Sequence, residues 1–250
     1  MLKMPDQDDR LTVAAIAGLA FMVSDVAHEV IGHGLGFFLA GGQTGIYTTT
    51  RIIETQRLGD RGGDMFDMGG PFGNLLCAAL AWLALRFVPT NASRLRLFCS
   101  LTLAFSLFWA FGYLAFCGVK GQGDWFALIR AASHQWVWRS LLFMAGVLFY
   151  LGSMKLVASQ FGWTRRALVI SYLAGGLMGV LGAILDPRGF PAIRHDGLLS
   201  GFGSALGMLA ISATGNISTT ISRNFAWIVA AGCCAGIYIF VLGPGLKFTF

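Results

Sequence analysis

Six runs of roughly 20 apolar residues dominate what this chain can fold into. They occupy approximately residues 11–40, 70–88, 97–118, 138–158, 167–186 and 225–242, and each is long enough, as a helix, to cross a hydrocarbon core about 30 Å thick. In such surroundings every backbone N–H and C=O has to be satisfied internally, which selects helices. A seventh candidate, 198–213 ("LLSGFGSALGMLAISA"), is shorter and rich in glycine, and is expected to be re-entrant or tightly packed. Of the 250 residues, 56% are hydrophobic and only 12% charged, which excludes an ordinary water-soluble domain of this size. The expected fold class is an all-α polytopic membrane protein with six to seven transmembrane helices, multi-pass in a plasma or inner membrane.

The net charge of +6 is carried by basic residues between apolar runs, in "ASRLRLF", "WTRRA" and "PRGFPAIR". That placement points to the headgroups of a lipid bilayer and not to nucleic acid. The polar amino terminus, residues 1–10, precedes no small-residue cleavage site, so no secretory signal is expected. Cys77, Cys99, Cys117, Cys233 and Cys234 all lie in apolar runs without CxxC spacing, and read as packing residues. The longest polar break is 41–69, and its β-branched stretch from Ile46 to Ile53 is expected to form a short β-hairpin. A ribbon of that kind can hold an extended peptide by strand addition.

The first apolar run carries "AHEVIGHGLGFF", which puts Asp25, His28, Glu29 and His33 within nine residues. Charges in a membrane helix persist where function or a partner compensates their cost, a few kcal/mol each at least. His-Glu-x-x-His presents two imidazoles to one zinc because i and i+4 share a helix face. Here the histidines are five apart, hence about 140° apart on a regular helix. One widened turn of the i to i+5 kind would realign them, and Gly32, which lacks a Cβ, is the expected place for it. A rival reading needs no distortion: Asp25, Glu29 and His33 at i, i+4 and i+8 form a polar stripe suited to a proton or cation path.

A third metal ligand has two candidates. Asp124 in "GQGDWFALIR" stands at a helix start, and in "IRHDGLLSGFG" both His195 and Asp196 have ligating side chains. The ordinary alternatives are a helix cap for Asp124 and a solvated loop for the other two. Gly70-Pro71 reads as a helix start, with Pro71 at the first helical position.

These residues resemble a site-2-protease-like intramembrane zinc metalloprotease. The likeness is carried by "HEVIGHGLGFFLAGG", similar to the "HELGH" helix and the double glycine after it, by Gly70, Pro71 and Asn74 of "GGPFGNLLCAALAW", similar to the family's G-P-x-x-N segment, and by an aspartate on a later helix. The extra residue in the first motif departs from the family, yet "HEVIGH" matches the H-E-x-x-G-H zinc motif of dipeptidyl peptidase III. The resemblance covers about the first 130 residues. It implies a metalloprotease core over 11–132, accessory helices over 133–250, and Zn²⁺ held by His28, His33 and Asp124. Glu29 would be the catalytic base, with Asp25 orienting an imidazole and Asn74 bonding a substrate backbone or the β-ribbon. The expected substrate is a membrane protein or peptide, cut in or near a transmembrane segment. A relay using the Asp25, Glu29 and His33 stripe, and a client-binding protein that has lost catalysis, stand as alternatives.

Overall fold

The computed structural model describes residues 8–54, 58–160, 162, 164–212 and 220–249; the expected polar segment at residues 1–7 lies outside them. The chain is mostly helical with one small sheet. Six helices are long and apolar enough to cross a membrane, at Arg10–Leu39, Gly62–Phe87, Ser93–Lys120, Gln135–Gln160, Arg165–Ala183 and Phe225–Leu242. They coincide with the six apolar runs.

Helix α1 (Arg10–Val26) starts at Asp9, whose carboxylate accepts from Thr12 N–H at 2.9 Å, one of the backbone donors a helix start leaves unmet. It runs through the middle of the bundle, with Val13, Ile16, Ala17, Ala20 and Phe21 buried. A six-residue π-helical segment, Ala27–Gly32, continues it into α2 (His33–Leu39). Against this composite helix pack α3 (Asp60–Phe87), α4 (Ser93–Lys120) and α6 (Arg165–Ala183), while α5 (Gln135–Gln160) lies on α4. Phe21 joins α1 to α4 by an edge contact with Phe105 at 5.5 Å and a stack on Trp109 at 6.0 Å. Ser24 donates to the Thr102 carbonyl and accepts from Ser106, so the same interface holds a closed polar contact inside an apolar core. The outward residues of α5 and α9 (Phe225–Ile237), Leu148, Phe149, Phe225 and Val229 among them, stay exposed, as helices facing lipid would.

The seventh run is not a regular helix. Residues 190–210 split into α7 (Phe190–Ala192), a π segment (Ile193–Gly203), a 3-10 turn (Ser204–Leu206) and α8 (Gly207–Ala210). This broken leg starts beside Arg188, which pairs with Asp196, and ends where Arg165, at the start of α6, donates to the Leu209 carbonyl. It therefore runs back along the whole of α6. The contact is close because glycines face each other: a Cβ on Gly179 would lie 2.9 Å from the Gly197 carbonyl oxygen, and one on Gly201 would lie 2.8 Å from that of Gly176. Small residues permit this close approach between helices.

The expected hairpin forms, as β1 (Thr44–Tyr47) antiparallel to β2 (Ile52–Glu54). A third strand, β3 (Leu246–Thr249), adds to its other edge, giving the order β2-β1-β3. The tip of the hairpin is tied to the turn after α6: Thr48 and Thr50 donate to Asp186, and Thr49 donates to the Gly182 carbonyl at 2.8 Å.

Two expectations for residues 41–71 are corrected. Helix α3 begins at Asp60 and not near residue 70, and Pro71 lies in its interior. A proline there removes one backbone bond from the helix. The helix continues because Gly69 and Gly73 press against the π segment, where a Cβ on either would strike the carbonyl oxygen of Gly32 or Ala27. Tertiary contact thus fixes a stretch that local preference would have ended.

Candidate metal centre

The backbone N–H of His33 donates to the carbonyl of His28, the i to i+5 bond of a widened turn. Its effect is to bring the two imidazoles together, with ring centroids 4.9 Å apart and nearly perpendicular. Asp124, first residue of a 3-10 turn (Asp124–Ile129), completes the group: its Oδ2 lies 3.2 Å from His28 Nε2 and 3.3 Å from His33 Nε2. One ligating atom from each of the three falls within 4.8 Å of the others. Tetrahedral zinc with bonds of about 2.0–2.2 Å sets neighbouring donors about 3.3–3.6 Å apart.

The protonation pattern supports the same fit. His33 Nδ1 lies 2.8 Å from the Phe66 carbonyl oxygen. A carbonyl only accepts, so Nδ1 carries the hydrogen and a neutral His33 turns a bare Nε2 lone pair toward the Asp124 oxygen. Burial alone raises the Asp124 carboxyl, but the two imidazoles outweigh it and hold the group below the usual carboxylate range, so it is anionic. A lone pair facing an anion at 3.3 Å requires a cation between them, a proton or a metal ion.

His28 Nδ1 lies 2.9 Å from the amide of Asn74, while the other amide atom, Oδ1, is buried without a partner. Oxygen and nitrogen of an amide are assigned from the network. Turning this amide lets Oδ1 accept from His28 Nδ1–H, leaving Nε2 free to ligate. Space in front of the ligating nitrogens exists because residue 70 is glycine: a Cβ there would lie 2.6 Å from His28 Nε2 and nearer still to His33 Nε2.

The Asp124 turn is fastened to α4 and α3. Gly121 closes α4 in the left-handed conformation, φ +66°, and Gly123 follows at φ +100°, values glycine adopts without strain. The Trp125 indole N–H donates to the Ala110 carbonyl at 2.8 Å. At the far end of the turn, Arg130 pairs with Asp64 and Asp67 of α3.

A cavity of about 500 Å³ opens onto the three residues and also receives Glu29, whose carboxylate is 4.0 Å from His28 Nε2. Its walls include Trp109 and Tyr113 of α4, Arg51 of the hairpin, and Arg188, His195 and Asp196. His28 stacks on Trp109 at 4.8 Å and 20°.

Several expectations change here. Asp25 does not line this cavity; its partner is the Tyr238 hydroxyl. The imidazoles are instead oriented by the Phe66 carbonyl and Asn74, and Asn74 meets His28 rather than the β-ribbon. His195 and Asp196 reach the cavity wall but stay outside the donor group, and Asp196 is taken by Arg188 at 2.7 Å. Residues beyond 132, Arg188, His195 and Asp196 among them, supply part of the wall. Pro71 follows the glycine that clears the ligating nitrogens, and no contact of its own with the cavity is seen.

No family model, curated protein or solved structure matches the chain. The functional reading accordingly rests on the donor set, the second ring of contacts around it and the cavity.

Proposed function

We propose that this chain is a multi-pass membrane zinc peptidase of the site-2-protease-like kind, holding Zn²⁺ through His28, His33 and Asp124. The observation that carries it is the spacing of two buried imidazoles and a half-buried carboxylate, 3.2 and 3.3 Å between each imidazole and the shared carboxylate, inside a cavity that also holds Glu29. Three protein ligands and one open position are the arrangement of a catalytic zinc site. Zinc supplies a Lewis acid and brings the pKa of a water in that open position toward neutrality.

The chain's own groups then divide the remaining work. Glu29 takes a proton from water as the water oxygen bonds to a peptide carbonyl carbon and the carbonyl π pair moves onto its oxygen. When the C–N bond breaks, its electron pair leaves with the amine nitrogen, and Glu29 returns the proton there. Trp109 packs against one face of His28 and keeps water from it. A helical segment keeps its carbonyls in its own backbone hydrogen bonds, out of reach of attacking water. The substrate is therefore an extended or locally unwound segment of a membrane protein.

The test is metal content followed by hydrolysis. Purified protein should carry about one zinc per chain, lost in His28→Ala and His33→Ala. Glu29→Gln should keep zinc and lose cleavage of an unfolded protein such as dye-quenched casein. A metal-free protein that conducts protons would replace this reading with the relay. Zinc retained with no cleavage by the unaltered chain would indicate a client-binding protein.

A further inference from the structure

We propose that Tyr113 is a catalytic hydrogen-bond donor to the carbonyl oxygen of the peptide being cut, a role that rests on the peptidase reading above. Helix α4 turns Trp109 and Tyr113 toward the cavity, four residues apart on one face. Trp109 is used up in packing on His28. Tyr113 meets the same imidazole by its edge, centroids 6.4 Å apart, and is half-buried, so its phenol stands beside a metal ligand while still facing the cavity.

The position of the hydroxyl is fixed by the ligand turn. Its oxygen lies over Gly123, where a Cβ would come within 2.7 Å of it, next to the first residue of the ligand turn. A phenol accepts and donates. Facing the cavity, the hydroxyl can turn its hydrogen to a group that enters there. That group is the peptide oxygen on which negative charge grows as water adds to the carbonyl carbon. Of the other polar groups near the ligands, Glu29 is committed to proton transfer, and Arg188 is bonded to Asp186, Asp196 and Thr50. A neutral donor aimed at the developing charge costs little to hold ready in a dry site.

The experiment compares Tyr113→Phe, Glu29→Gln and the unaltered full chain in detergent, with zinc content measured in each and dye-quenched casein as the probe. Tyr113→Phe should keep about one zinc per chain and lose about 10²-fold in kcat, with KM changed less than about twofold. A phosphinic peptide, whose tetrahedral oxygens copy the charged state, should bind it about 10-fold or more weakly. Full kcat in Tyr113→Phe beside an inactive Glu29→Gln overturns the role of Tyr113 and leaves the peptidase reading standing. Loss of zinc in Tyr113→Phe also overturns it, since the hydroxyl would then serve only to hold Asp124. If unaltered chain and Glu29→Gln are alike in failing to cleave, the peptidase reading falls and the proposal with it.

Discussion

The His33 amide reaches the His28 carbonyl across five residues, and this one wide bond is what places both imidazoles beside Asp124. It also sets the register of everything downstream. Phe37 of α2 is fully buried against Phe66 and Phe248. Deleting Val30 would write a regular His-Glu-x-x-His into the sequence, and a regular turn would then do what the widened turn does with one residue more, leaving His33 and α2 in nearly the same place. The variant should therefore keep both its zinc and the midpoint of thermal unfolding in detergent. Loss of both would show that the widened turn itself, and not only the register it preserves, is required.

Gly70→Ala separates metal binding from folding. The added methyl would sit between the ligating nitrogens, so zinc content should fall to near zero while the helical circular dichroism is kept. Gly73→Ala is the contrasting variant, since its Cβ strikes the Ala27 carbonyl and should lower the yield of folded protein itself.

Asn74 holds His28 from behind the metal position. Partners of this type typically contribute about 10–100-fold in metal affinity. Asn74→Leu should therefore give up zinc to a competing chelator at correspondingly lower chelator concentration. Asn74→Asp, which still accepts from Nδ1–H, should lose much less; equal losses would rule out orientation of His28 as the role of Asn74.

Asp186 gives the fold an acid-sensitive joint. Burial pushes its carboxyl up, but bonds from Arg188 and Thr50 outweigh that and hold it below the ordinary carboxylate value. Stability from a depressed carboxylate is complete above the unfolded pKa, about 3.9, and drains away as pH falls through the lower folded value. The unaltered protein should thus lose stability below about pH 4. Asp186→Asn should be weaker at neutral pH and flatter in that acid range, measured by thermal unfolding across a pH series.

The sequence by itself determined the helical scaffold, because a run of 20 apolar residues in a chain with so few charges admits little else. It also singled out His28, Glu29 and His33, since ionisable groups inside such runs are costly enough to need a reason; Asp124 came from the resemblance, with His195 and Asp196 as rivals. Even the widened turn was legible, from five-residue spacing and a glycine. What only the tertiary structure decided is which groups meet. Asp124 lies about a hundred residues from His28, and a glycine-closed loop, not any local pattern, brings it back. The Phe66 carbonyl that fixes His33 is backbone and leaves no mark in the sequence. Which of the clustered groups faces the cavity was also decided there: Glu29 and His33 line it, while Asp25 bonds Tyr238 outside the lining. Likewise the broken leg, Arg188 and β3 reach the site end from the last third of the chain, because glycine-to-glycine contact with α6 and strand pairing act between segments far apart in sequence.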